Sequence, residues 1–167
     1  MAAVDKSKYE IFEVESNHKD PGKRRVVDIS QGVVGFTYFE NIMSPTLTAR
    51  VIVVNTGGGV SDDEGNMIGV YNGLPFRGGE RVIIKIKSNS NNNQDLDFSQ
   101  DTTKYFFVSS VGDVMVEAQK EIFTLNLISR EAITNETIRV GKKFPVSQKI
   151  SDSVEDIIKN YLKSDKI

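Results

Sequence analysis

The sequence has no cysteine and no tryptophan, and its single histidine is His18. Without cysteine the chain can form no disulfide, offers no thiolate nucleophile and has no cysteine ligand for a metal. One histidine is too few for most hydrolytic and zinc-dependent sites, because these combine histidine with further ligands or a nucleophile. Carbohydrate recognition also loses tryptophan as a stacking platform. The sequence therefore predicts a protein that is not an enzyme, with no catalytic residue, no cofactor and no metal.

The chain also lacks a strong excess of charge and any long apolar segment. Its net charge is −2 over 167 residues, which disfavours non-specific binding to nucleic acid. No apolar run approaches the roughly 20 residues that a membrane-spanning helix needs, and residues 1–8 lack the apolar centre of a signal peptide. The missing cysteine suits a reducing cytosol. We therefore predict no membrane partner and no specific nucleic-acid binding.

Short segments rich in β-branched and aromatic residues recur along most of the chain, as is typical of strands. A stripe of apolar side chains at helical spacing, from Val154 to Leu162, then predicts an amphipathic helix near the C-terminus. This order predicts a mainly β fold: an antiparallel β-barrel or sandwich followed by a C-terminal amphipathic helix. Strands are predicted at residues 8–15, 24–29, 32–40, 47–55 and 80–87, and a hairpin at 105–128 with its turn at 117–121.

Several strands are apolar on both faces, unlike the strands of a sheet that is buried on one side only. Phe123, Leu125 and Leu127 share one face of the second hairpin strand, because successive side chains alternate. Ile122 and Ile128 lie on the opposite face of that strand. One short helix cannot cover so much apolar surface, so a neighbouring subunit is expected to bury it. We therefore predict a subunit interface that contains Ile122, Ile128, Phe106 and Val108.

Other short motifs favour structural readings over chemical ones. The glycines at 57–59 precede an acidic segment rather than the Gly-Lys-Ser/Thr of a phosphate loop. The acidic residues at 62–64 and 95–97 do not match a calcium-binding loop, so we interpret them as solvated acids. The basic cluster at 23–25 is interpreted as protection of a strand edge, and His18 as a surface residue. Neither Glu13 with Glu15 nor Glu117 with Glu121 is predicted to form a catalytic carboxylate pair.

Three segments together resemble a known family. Residues 72–86 read Asn-Gly-Leu-Pro-Phe-Arg-Gly-Gly-Glu-Arg-Val-Ile-Ile-Lys-Ile, and the hairpin at 105–128 follows. The third segment combines Leu-Ile-Ser-Arg-Glu-Ala-Ile at 127–133, Gly-Lys-Lys-Phe-Pro at 141–145 and Ile-Ser-Asp-Ser-Val-Glu-Asp-Ile-Ile at 150–158. This order resembles the N-terminal part of T4-type phage baseplate hub proteins, and the wider family of contractile-tail tube and type VI secretion tube and spike-hub proteins. The resemblance covers residues 40–162.

The resemblance implies a tube-type β-barrel domain at 1–130 and, at 131–167, a helical appendage or the start of a following domain. In that family the hairpin closes the barrel. The implied function is structural: a baseplate hub of the phage tail, in which ring-forming barrels link the tail tube to the central spike. The implied partners are further copies of the chain, as a trimer, and the tube and spike proteins. The implied location is the virion, assembled in the host cytoplasm, with DNA passing through the lumen.

A second hypothesis belongs to a different class, a monomeric β-sandwich that binds carbohydrate or peptide with its loops. Such a module usually displays aromatic side chains in those loops. Here the candidates are Tyr71, Phe76 and Phe98. The two hypotheses differ in oligomeric state and in where these three rings lie.

Overall fold

The computed structural model describes residues 7–164, apart from 45, 57–58, 62–63, 91 and 118–119. Across these residues the fold is mainly β and antiparallel. The described strands are β1 (Lys8–Glu15), β2 (Val26–Asp28), β3 (Val33–Phe39), β4 (Thr48–Thr56), β5 (Val60–Ser61), β6 (Met67–Ile68), β7 (Arg81–Lys87), β8 (Leu96–Asp97), β9 (Phe106–Glu117) and β10 (Lys120–Ser129). The α-helices are α1 (Val70–Gly73), α2 (Arg130–Thr137) and α3 (Ile150–Asp156), and a π-helix, Ile157–Leu162, continues α3.

One large sheet dominates the molecule. Its strand order is β2-β1-β7-β9-β10-β4-β3, with β8 beside β7, while β5 and β6 form a separate pair. The sheet curves, so that the ring of Phe12 on β1 lies edge-on to Phe36 on β3, with centroids 5.7 Å apart. No strand pairing joins β3 to β1 or β2 within the described residues. The predicted barrel is therefore not closed: the structure has a curved sheet with β2 and β3 at its two ends.

The concave side of the sheet holds the core. Alternate residues on β10 point into it, so Phe123, Leu125 and Leu127 are almost fully buried. Phe12 on β1 and Ile84 on β7 are likewise fully buried. Each such side chain contributes about 1.5–3 kcal/mol to the free energy of unfolding through removal from water. The core therefore packs strands from both halves of the sequence against one another.

The segment at 64–79 covers one end of this core and is attached at two places by buried glutamates. Glu121 on β10 accepts hydrogen bonds from the backbone N–H groups of Val70, at 2.5 Å, and Tyr71, at 3.2 Å. Glu80 accepts them from the backbone N–H groups of Arg77, at 2.6 Å, and Gly78, at 3.1 Å. These carboxylates satisfy backbone donors that would otherwise be buried without partners. The segment is thus a fixed part of the fold.

The C-terminal part of the described chain folds back on the end of β10. Glu131 on α2 is buried and accepts a hydrogen bond from the hydroxyl of Ser164, at 3.2 Å. Arg130 donates to the backbone carbonyl of Lys163, a residue in the left-handed region with φ of 60°. A helical segment begins at Ile150 as an α-helix and changes to a π-helix at Ile157. The domain boundary predicted at 130 falls where α2 begins.

Candidate functional site: the outer face of the β9–β10 hairpin

The convex side of the central strands carries an unusual number of apolar side chains. Residues directly opposite each other on neighbouring strands share a face, so the strand register defines this surface. In that register Ile122 lies opposite Met115 on β9 and Val54 on β4. Ile128 lies opposite Phe107 on β9. We call this surface the outer hairpin face, and its apolar members are Ile52, Val54, Phe107, Met115, Ile122 and Ile128.

The structure corrects half of the predicted interface. Phe106 and Val108 are each 1% exposed and belong to the core, so they cannot contact a neighbouring subunit. Val108 pairs with Leu127, and Phe107 pairs with Ile128, which places Phe107 rather than its neighbours on the outer hairpin face. Alternation along one strand does not reveal which set faces inward, because that depends on the register with the partner strand. The interface role of Ile122 and Ile128, which are half-buried on the outer face, stays a prediction.

A polar band divides the outer hairpin face into two apolar ends. Asp113 lies at an irregularity in the β9–β10 pairing and has a φ of 52°, which aspartate tolerates better than most residues. Its carboxylate accepts hydrogen bonds from Arg50 on β4, at 2.8 Å, and from the hydroxyl of Thr124, at 3.0 Å. Nearby, Asn126 donates to the hydroxyl of Ser110 at 3.0 Å. These contacts tie β4, β9 and β10 together across their convex side.

The tip of the hairpin displays three consecutive apolar residues. Val114 is 42% exposed, Met115 is 56% exposed and Val116 is 49% exposed. Strict alternation would send the middle side chain to the face opposite its two neighbours. Beyond the irregularity at Asp113 the pairing is regular, Met115 with Ile122 and Val116 with Glu121, so both faces of the hairpin tip are apolar and exposed. The run Val-Met-Val is the sequence signal of this tip, which was not among the predicted interface residues.

The edge of β9 is open beside this surface. β7 pairs with β9 only at Arg81 with Phe107 and at Val82 with Phe106, and Glu80 extends the contact to Val108. From residue 109 to residue 117, no described strand pairs with β9 on the side away from β10. Such an edge presents unpaired N–H and C=O groups, to which another strand can add. The hairpin therefore combines an open edge with an exposed apolar face.

Two of the four carboxylates considered for chemistry, Glu15 and Glu121, have structural contacts. Glu15 pairs with Arg24 and with Arg81, each at 3.2 Å. Glu121 is buried under α1, whereas Glu117 is exposed at the hairpin tip. The two members of the second pair therefore lie in different environments.

The acidic loops and His18 are likewise engaged in local contacts. Asp97 accepts hydrogen bonds from the hydroxyl and the backbone N–H of Ser99, which hold the pKa of that carboxyl below its usual value. Asp95 accepts the backbone N–H of Ser88 at 2.7 Å, and His18 Nδ1 accepts that of Asp20 at 3.1 Å. In the described part of the chain no three acidic or histidine side chains converge on a possible metal position. The residues at 57–58 and 62–63 lie outside the described residues.

Comparison of the chain with protein-family models, with curated proteins and with solved structures found no match in any of the three. Among the described residues, no helix combines the length and the apolar character needed to span a membrane. The outer hairpin face and the open edge of β9 are therefore the features from which a function can be inferred.

Proposed function

We propose that this chain is a structural subunit that assembles into a ring through its β9–β10 hairpin, as a baseplate hub component of a phage tail. The single observation that supports this most is the open β9 edge lying beside the apolar outer hairpin face. A neighbour that added a strand to this edge would satisfy the unpaired backbone groups and cover the apolar side chains in one step. Edge pairing alone, or apolar contact alone, would leave the other half of the surface exposed.

A ring requires two different surfaces on each subunit, because head-to-tail contacts close only when one patch meets another. The end strand β3 is the second surface that we propose. It has a free edge within the described sheet, and Val34 and Phe39 on it are 62% and 56% exposed. β3 of one copy would then pair with β9 of the next copy. A trimer is the closed ring expected from the resemblance to hub proteins.

In this proposal the tail tube protein binds one end of the ring and the central spike binds the other, in a virion assembled in the host cytoplasm. The near-neutral charge of the chain would let DNA pass through the lumen without strong binding. The function is one of geometry and stiffness rather than catalysis. The proposal includes no cofactor.

Sedimentation velocity over a wide range of protein concentration tests the assembly. The expected result is a concentration-dependent species at three times the monomer mass. Met115→Lys should weaken this association by about tenfold or more, since it places a charge in a desolvated contact. Val146→Lys is the matched control, because Val146 is fully exposed in the C-terminal segment and lies outside the proposed contact. A wild-type protein that stays monomeric throughout would contradict the proposal.

The aromatic rings on which the carbohydrate- or peptide-binding alternative depends pack onto the core. Tyr71 and Phe76 lie 5.9 Å and 5.6 Å from Phe123, measured between ring centroids. Phe98 lies 5.1 Å from Phe106. These contacts use the ring faces and edges that a loop-borne binding site would need to display. We therefore retain assembly as the proposed function.

A further inference from the structure

A second surface, away from the hairpin, carries a cluster of cationic side chains. A cleft of about 620 Å³ lies between the turn at 16–25 and the loop at 72–75. This volume lies within the range of roughly 300–1,000 Å³ that is typical of ligand sites. The described residues that line it include Lys23, Arg24 and Arg25, and none of these described residues is acidic. Within a chain of net charge −2, this is a local excess of positive charge.

The fold holds the two arginines in place. Arg24 donates to the backbone carbonyl of His18 at 3.1 Å and to Glu15 at 3.2 Å. Arg25 is half-buried; its guanidinium donates to the carbonyl of Gly73, and its backbone N–H donates to Ser16 Oγ at 2.8 Å. Side chains positioned in advance lose less conformational freedom when a ligand binds. The cleft is therefore organised before any ligand arrives.

Described carboxylates near the cleft engage part of this positive charge. Glu15 is shared between Arg24 and Arg81, and Asp20 uses a carboxylate oxygen to accept the N–H of Gly22. Lys23 is exposed, and its ammonium group forms no ion pair with any described residue. At least one full positive charge is thus available to a ligand at the mouth of the cleft.

A free strand edge adjoins the cleft. β2 begins at Val26, directly after Arg25, and it is an end strand of the described sheet. Val26 is 58% exposed. An extended peptide could therefore pair with β2 through its main chain while its side chains reach the cationic cluster. Gly73 supplies a carbonyl and Asn72 an amide on the far side of the cleft.

We propose that this cleft, together with the β2 edge, is a docking site for an extended acidic peptide segment of a partner protein. The exposed ammonium group of Lys23 attracts carboxylates, and the two arginine side chains, which the fold already holds, add positive potential around it. Nucleic acid fits less well, because the described residues of the lining include no phenylalanine, tyrosine or tryptophan for base stacking and the chain as a whole is negative. The site is separate from the outer hairpin face, so it does not depend on the proposed ring assembly.

Fluorescence anisotropy with labelled peptides tests this site. The probe is an eight-residue peptide of alternating glutamate and valine, which in an extended form presents its carboxylates on one face. The control probe has glutamine in place of glutamate. The acidic peptide should bind about tenfold tighter than the glutamine peptide, and raising the salt concentration should weaken its binding. An acidic peptide methylated at alternate backbone nitrogens should bind about fivefold more weakly, since it cannot complete the strand pairing.

Variants of the protein identify the cleft as the place of binding. Lys23→Glu should weaken binding of the acidic peptide by about tenfold, because it reverses an exposed charge at the cleft. Lys149→Glu, an exposed lysine in the C-terminal segment, is the matched control and should leave binding unchanged. Circular dichroism should confirm that both variants are folded.

Four results would overturn the docking site. These are equal affinity for the glutamate and glutamine peptides, equal affinity of Lys23→Glu and the wild type, displacement of the peptide by millimolar inorganic phosphate, and tighter binding of a twelve-nucleotide oligothymidylate. The third would indicate a simple anion site, and the fourth a nucleic-acid surface. Unchanged binding of the methylated peptide would overturn the strand pairing at β2.

Discussion

Both faces of β10 carry apolar side chains, but these side chains have different surroundings. On the concave face Phe123, Leu125 and Leu127 are at most 1% exposed. On the convex face Ile122 and Ile128 are only half-buried, although they are as apolar as their neighbours. Apolar character therefore does not decide burial in this strand; the curvature of the sheet and its register do. This difference also indicates where a partner would contact the chain, because the apolar surface on the convex face is available to a partner.

The largest effect on stability is expected when a lysine is placed on the concave face rather than on the convex face. Leu125→Lys should lower the free energy of unfolding by at least about 3 kcal/mol, because it removes a packed side chain and buries a charge. Ile122→Lys should lower it by less than about 1 kcal/mol, as for most substitutions at half-exposed positions. Ile122→Lys should also weaken self-association by about tenfold. Urea denaturation measures the first two effects, and sedimentation velocity measures the third.

Equal destabilisation by the two lysine substitutions would contradict the distinction between the faces. If an Ile122→Lys protein self-associates like the wild type, Ile122 is not part of the proposed ring contact. The two outcomes are distinguishable because one concerns the stability of the fold and the other concerns only assembly.

A second comparison is between two glutamates of the same hairpin, one inside and one at the tip. Glu121→Ala should lower the free energy of unfolding by about 2–3 kcal/mol, since it leaves the N–H groups of Val70 and Tyr71 and the amide of Asn55 without their acceptor. Glu117→Ala should change it by less than about 0.5 kcal/mol, because Glu117 is exposed. Urea denaturation measures both, and hydrogen exchange should show residues 64–79 opening faster in Glu121→Ala. Similar values for the two variants would mean that Glu121 does not anchor this segment.

The smallest effect is expected within the polar band of the convex face. Arg50 and Asp113 form an exposed ion pair at 2.8 Å, and solvent screens such pairs strongly. Arg50→Ala should cost about 0.2–1 kcal/mol of unfolding free energy, and less as salt is added. Asp113→Gly loses the same ion pair, but glycine adopts a φ of 52° without strain. The relief of backbone strain should therefore offset the loss of the ion pair in the free energy of unfolding. A salt-independent loss in Arg50→Ala would show that Arg50 acts through packing rather than charge.

Much of the strand pattern was predictable from local sequence. The strand predicted at 8–15 is observed as Lys8–Glu15, and the hairpin predicted at 105–128 is observed as β9 and β10. Both follow from dense β-branched and aromatic residues, whose effect is local. The short strands β5 and β6 were not predicted within the segment at 56–79, because two residues are too few to show a period.

The faces of β9 were not predictable in the same way. Phe106, Phe107 and Val108 are all apolar, so composition does not distinguish inner from outer positions. Their orientation depends on pairing with β10, where the register shifts between Asn126 and Leu127. A shift of one residue reverses every side chain, and a shift cannot be read from one strand alone. The outer hairpin face therefore contains Phe107 and Met115, which were not predicted there. It does not contain Phe106 and Val108, which were predicted there.

The local sequence is enough to predict a mainly antiparallel β structure with apolar residues on both faces of its central strands. Spacing and side-chain type carry that information because they act within a few residues. Three features are seen only in the tertiary structure. They are the face that forms the core, the unpaired end strands β2 and β3, and the accessible β9 edge and cationic cleft. Those features depend on register and on curvature, and both arise only when strands distant in sequence pair.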